Sequence, residues 1–199
     1  MRTVTGLFDD YADASAAVGE LETAGVRSDD ISIVSNNADQ RHGDSNAAEG
    51  AGTGAGIGAV VGGAGGLLTG LGLMAIPGVG PVVAAGWLVA TAAGAAAGAV
   101  AGGAAGGIIG GLTSSGVPER DAHFYAEGVR RGGTLVTAKV EDALAPEAEA
   151  ILKRSNWVDP AERRVSYERQ GWTRFDETLD PYDAQQVEQE RLRYRRGGI

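Results

Sequence analysis

The stretch GAGTGAGIGAVVGGAGGLLTGLGLMAIPGVGPVVAAGWLVATAAGAAAGAVAGGAAGGIIGGLTSSGVP, residues 50–118, runs for 69 residues without a charged side chain, and its reading decides the fold. Glycine recurs in it at every fourth position. Gly54, Gly58, Gly62, Gly66 and Gly70 form one ladder; Gly86, Ala90, Gly94, Gly98, Gly102, Gly106 and Gly110 form a second. Residues four apart stack on nearly one face of an α-helix, so each ladder predicts a helix lined by a groove of bare backbone. Glycine costs about 1 kcal/mol per residue in a helix relative to alanine. Helices this rich in it must recover the loss through close packing, and small residues spaced by four let helices approach each other, typically in membranes. The ladder glycines are therefore the predicted helix-packing residues.

The turn sequence Pro77-Gly78-Val79-Gly80-Pro81 divides the stretch, since neither flanking helix could pass through it unbroken. The reading is a helical hairpin over 50–117. In its first arm Ile57, Val60, Val61, Leu67, Leu68 and Leu71 fall opposite the glycines. From residue 52 to 75 that arm would reach roughly 36 Å, against about 30 Å of bilayer hydrocarbon. The second arm, from Val82 to Leu112, is mostly Ala and Gly, and its apolar face is weaker.

On either side lie α/β patterns. Thr3 to Phe8 reads as a strand, Asp9-Asp10 as a helix cap with a cation site as the alternative, Ala14, Ala17, Val18 and Leu21 as one helix face ending at Gly25, and Ile31 to Ser35 as a second strand. Residues 1–36 thus form the first half of an α/β unit, and the polar residues 37–49 a linker. After the ladders, Pro118 opens a helix carrying Ala122, Tyr125, Ala126 and Val129 on one face, Thr134 to Val140 is a strand, and a further helix starts near Pro146 with Ala148, Ile151 and Leu152 inward. A short strand near Trp157-Val158 would close this second half, 118–158. Neither half has enough strands to stand alone, so the two make one small sheet. The expected class is α/β (α+β): a small sheet with flanking helices, split by a long Gly/Ala-rich helical hairpin. Because the hairpin returns the chain to the half it left, any crossing of a membrane must be even in number. Residues 159–199 read as a charged tail whose exceptions are Tyr167, Trp172, Phe175, Tyr182 and Tyr194; it ends in Arg191, Arg193, Arg195 and Arg196, a solvated tail or a basic patch for anionic lipid or an acidic partner.

Composition excludes several chemistries. There is no cysteine, hence no disulfide framework or thiol chemistry, and the only histidines are His42 and His123, too few soft ligands for structural zinc. Net charge is −9, and residues 1–49 hold three Arg against ten Asp or Glu, so nucleic acid is not an expected partner. No G-x-G is followed by the third glycine of a dinucleotide fingerprint, and no phosphate-loop motif occurs. No serine and histidine are placed by a strand-turn-helix motif. No catalytic, cofactor-binding or metal residue is predicted. The opening residues carry no apolar signal core, so the expectation is a chain with cytoplasmic termini.

Several phrases resemble a known family: Thr3 to Ala14 (TVTGLFDDYADA), Asp30-Ile31-Ser32-Ile33-Val34, Ala75 to Pro81 (AIPGVGP) and His123 to Val136 (HFYAEGVRRGGTLV). Together they are similar to bacterial general stress proteins with a YflT-type domain, over about residues 1–158 and in the same order. The resemblance implies a stress-associated protein with a glycine-zipper insertion and no catalytic residues to carry over. Three functions follow: a non-enzymatic stress protein whose hairpin self-associates in or at the inner membrane; a cytoplasmic homo-oligomer whose hairpins form a protein core; and a small-ligand sensor. The predicted partners are further copies of the chain and, in the first reading, the lipid bilayer.

Overall fold

The computed structural model describes residues 1–38, 72–76, 79–88, 91 and 106–197. Their elements are β1 (Arg2–Phe8), α1 (Tyr11–Thr23), β2 (Ile31–Asn36), β3 (Gly72–Ile76), β4 (Gly80–Gly86), a π-helical turn (Gly106–Gly110) running into the short α2 (Gly111–Ser114), α3 (Glu119–Arg130), β5 (Thr134–Val140), α4 (Ala145–Arg154), α5 (Pro160–Arg169) and α6 (Ala184–Gly197). The class is mixed α+β, as expected. One antiparallel five-stranded sheet has the order β1-β5-β2-β4-β3.

The predicted helices form where apolar spacing and stop signals coincide. In α1, Ala14, Ala17, Val18 and Leu21 are all fully buried. The helix ends because Gly25 takes φ +94° and Val26 N–H donates to the Leu21 carbonyl, at 3.0 Å, the backward bond that closes a glycine-capped helix. Gly132, with φ +102°, ends α3 the same way through the Gly133 N–H to Gly128 carbonyl bond at 2.9 Å. β2 and β5 are buried on both faces because the sheet lies between two layers. Val4, Phe8, Ile31, Ile33, Val136 and Ala138 pack against α1 and α4, while Leu7, Val34, Val82, Ala84 and Leu135 pack against α3, Leu88, Ile108 and Leu112.

Three expectations are corrected. First, the break at residues 77–81 joins two strands, not two helices. Val82, Val83, Ala84, Ala85 and Gly86 pair antiparallel with β2, and β3 pairs with β4 through Leu73↔Val83 and Ile76↔Gly80. A strand beside β2 satisfies a row of backbone groups that a helix would have left bare, and β-branched Val82 and Val83 fit it, whereas glycine penalises the helical alternative. Secondly, residues 160–197 are not a solvated tail. Tyr167, Trp172, Phe175 and Val187 are buried, and Phe124, Tyr167 and Trp172 stack in series with ring centroids 5.7 and 6.0 Å apart. Thirdly, Trp157-Val158 forms no strand; Val158 N–H makes one hydrogen bond to the Leu7 carbonyl, at 2.7 Å, on the outer edge of β1.

Candidate functional site

Three of the predicted packing glycines, Gly86, Gly106 and Gly110, fall within the described residues. Gly54, Gly58, Gly62, Gly66, Gly70, Gly94, Gly98 and Gly102 lie outside the described residues. Gly86 ends β4 rather than lining a helix: its φ is +94°, and a Cβ there would run into the Ile31 carbonyl. Gly106 and Gly110 fall in the π-helical turn, whose wider winding takes residues four apart off a common line, and a Cβ on Gly110 would meet open space. The close approach is made one residue later, at Gly111, where a Cβ would lie 2.5 Å from Leu88 Cδ1.

The charged residues form a lock instead. Glu127, 1% exposed, accepts from Arg130 Nε at 2.9 Å, Arg130 Nη2 at 2.7 Å and Arg131 Nε at 2.6 Å. Arg131 continues to Gln170 at 2.6 Å and to Glu190 of α6 at 3.1 Å, and its guanidinium stands 4.2 Å from the Tyr167 ring centre. Burial works against the Arg131 charge, but the adjacent Glu127 carboxylate, helped by Tyr182 and Tyr167, outweighs it and raises the Arg131 pKa. Asp9 does not cap α1; it receives both Arg163 nitrogens at 2.7 Å. Asp10 occupies the cap position without a side-chain cap bond. These pairs fasten α5 and α6 to the sheet, leaving no room for a ligand: the space among them holds about 10 Å³. His123 sits apart from them, its Nε2 3.3 Å from Arg174. Among the described residues no cluster of His, Asp or Glu has the arrangement of a metal site, and no helix is long and apolar enough to cross a membrane.

A cleft of about 540 Å³ opens elsewhere, beside β1, within the range of ligand sites. Its floor is the free side of Arg2, Thr3, Val4 and Thr5. One wall is the Ser115–Pro118 turn with Asp121 and Tyr125 of α3; the other is Glu149 and Lys153 of α4 with Trp157 and Pro160. The sheet order places β1 at an edge, paired on one side only among the described residues. Since Leu7 turns its carbonyl outward to Val158, alternation along the strand turns the backbone N–H and C=O of Thr5 and Thr3 outward too. Thr3 Oγ1 donates to the Ser115 carbonyl at 2.8 Å and so holds the first wall in place. Thr5 Oγ1 is buried with no hydrogen-bond partner among the described residues. Asp121 is taken by Arg164 at 2.7 Å. Burial above all, and then Asp121, push the Tyr125 hydroxyl up to about 12 against the opposing pull of Arg164, so it remains a neutral donor across physiological pH. Hydrogen-bonding backbone, one orphaned hydroxyl and aromatic walls suit recognition of a backbone or a polar edge.

Sequence reasoning found β1 and the α3 face but not this cleft. What makes it a site is that β1 is an edge, and strand order is not written in local periodicity. The Thr-Val-Thr alternation of residues 3–5 was the available signal, since a strand apolar on one side of its pleat and hydroxyl-bearing on the other suits a partly open position.

Comparison with known proteins bears on the N-terminal part. Residues 3–78 match the family described as the heat induced stress protein YflT domain, a segment that takes in β1, α1, β2 and β3. The phrase from His123 to Val136, which also carried the resemblance, lies beyond it. No curated protein and no solved structure matches the chain. Over residues 3–78, then, the chain is similar to heat-induced stress proteins of the YflT type.

Proposed function

We propose that the chain is a non-enzymatic general stress protein that acts by association, copies meeting through the glycine ladders of residues 54–70 and 94–102. The observation that carries the stress assignment is the match of residues 3–78 to the heat-induced stress domain. The ladder spacing supports self-association, because bare backbone four residues apart is useful to a helix only where another helix approaches.

Two settings compete, the inner membrane and the cytoplasm, and the sheet topology supports the second. With β3 and β4 in the sheet, each ladder becomes a separate excursion from one body back to it: 35 residues separate Asn36 from Gly72, and 19 separate Gly86 from Gly106. An excursion that returns must cross a bilayer an even number of times, and two crossings need about 40 residues before any turn is counted. Assembly outside the bilayer, with apolar faces covered by other copies, meets the length limit.

Light scattering on the full chain purified without detergent, alongside carbonate washing of membranes from expressing cells, tests this reading. The expected result is release from washed membranes as a particle of several chains, reduced to a smaller species by Gly62→Leu and Gly98→Leu. A monomer, or both variants assembling normally, would overturn self-association through the ladders; retention in washed membranes would reinstate insertion.

A further inference from the structure

We propose that β1 accepts one more strand: the cleft beside it binds an extended segment of a partner protein, with apolar side chains alternating with carboxylates, by β-strand addition. This goes beyond the ladder reading and does not depend on it. The outward N–H and C=O groups of Thr3 and Thr5 have no backbone partner among the described residues, and an unpaired strand edge is complementary to the regularly spaced donors and acceptors of another extended backbone. The free part of the edge is short. Val158 already caps it at Leu7, leaving about four residues, or roughly 13 Å of strand.

The walls explain why the occupant is a lone segment and not a second copy joined edge to edge. β1 lies at the bottom of a cleft, flanked by the Ser115–Pro118 turn on one side and by α4 with Trp157 and Pro160 on the other. A whole sheet would meet those walls before its edge reached Thr5, whereas a single strand passes between them. Such a strand presents one row of side chains to each wall. The row facing Val117, Pro118 and Tyr125 meets apolar surface, with the Thr5 hydroxyl beneath. On the opposite side Lys153, 5.5 Å from the Trp157 ring centre, stands with Arg2 at the rim, both exposed. Because Asp121 is neutralised by Arg164, the cations that remain outnumber the single carboxylate of Glu149, and they complement an acidic row.

The test uses the full chain and a fluorescein-labelled, end-blocked pentapeptide alternating valine and glutamate, followed by fluorescence polarisation. Saturable binding is expected at peptide concentrations below about 1 mM. N-methylation of alternate peptide amides, which removes strand hydrogen bonds and keeps the side chains, should weaken it at least tenfold. Lysine in place of glutamate should weaken it several-fold, as should the Arg2→Glu, Lys153→Glu pair. Thr5→Pro deletes an N–H that the β1–β5 ladder does not use, and should abolish binding while leaving the thermal midpoint within a few degrees. Repeating the titration on a Gly62→Leu, Gly98→Leu chain separates this site from ladder assembly, and the affinity should not change. No binding up to about 1 mM, equal binding of the N-methylated peptide, or amide shifts that bypass Thr3 and Thr5 would each overturn strand addition; dimerisation that Thr5→Pro abolishes would assign the edge to a second copy instead.

Discussion

Glu127→Gln should destabilise the protein by about 3 kcal/mol, and the figure follows from what each partner retains. The carboxylate is buried and shared by two guanidinium groups, of Arg130 and Arg131, which are 7% and 6% exposed, so water can screen little of the loss. Removing one partner of a buried ion pair generally costs about 3–5 kcal/mol, because the remaining charge stays dry. Here the loss falls at the lower end. Arg131 keeps Glu190 at 3.1 Å and Gln170 at 2.6 Å, and Arg130 keeps the Asp180 carbonyl at 3.2 Å and the Tyr182 ring at 4.8 Å. For a chain of this size 1 kcal/mol corresponds to about 2–4 °C, so the thermal midpoint should fall by roughly 6–12 °C. Urea unfolding followed by tryptophan fluorescence measures the change directly, Trp172 lying in the segment the network holds. Combining Glu127→Gln with Arg130→Met should cost less than the sum of the two, a coupling of at least about 1 kcal/mol. A loss below about 1 kcal/mol with additive double substitution would refute the argument, since the arginines would then be hydrated and the network incidental.

Stability should also decline between pH 10 and 12. Burial and Asp121 lift Tyr125 from 10.0 to about 12, so its contribution is complete below the unfolded value and disappears as pH rises through the folded one. Tyr125→Phe should flatten that limb by up to about 2–3 kcal/mol in pH-dependent denaturation, leaving the share of the other buried tyrosines; identical limbs would disprove the assignment. Gly86→Ala should cost about 2–4 kcal/mol, from the positive φ and the Ile31 carbonyl together, whereas Gly110→Ala should be neutral or slightly stabilising. If equilibrium unfolding gave the two ladder positions equal costs, helix packing would be the better account of Gly86.

What could be read in advance was whatever local pattern decides alone. The helix faces of α1 and α4 and the strands β1, β2 and β5 follow from apolar spacing bounded by Gly25 and Gly132, and each forms within a residue or two of where it was expected. The failures share a cause. Residues 72–75 and 82–86 were expected as ends of the two ladder helices, whereas Val82-Val83 after Pro81 favour a strand; the unpaired flank of β2, which local sequence does not reveal, decided between them. In residues 160–197 net charge suggested solvent, yet the aromatic exceptions Tyr167, Trp172 and Phe175 are the ones that dock. Their neighbours Arg163 and Arg164 are half-buried, met from other elements by Asp9 and Asp121. The cleft was illegible for a further reason: it exists only because β1 is outermost, a property of the whole sheet.

The position of β5 between β1 and β2 also sets a schedule. Arg2 pairs with Val140 and Ile31 with Ala138, so the first two strands to leave the ribosome have no partner in one another. At about 5–20 residues per second, on the order of ten seconds pass between the appearance of β1 and that of β5. Throughout that interval the nascent chain holds β1 and an uncharged stretch of 69 residues with no strand to join β1 to β2. A message or ribosome that stops short of Thr134 therefore yields a product unable to close its sheet. During heat shock, when translation falters, such truncated chains would be clients for chaperones, and the finished protein accumulates only where synthesis still runs past β5.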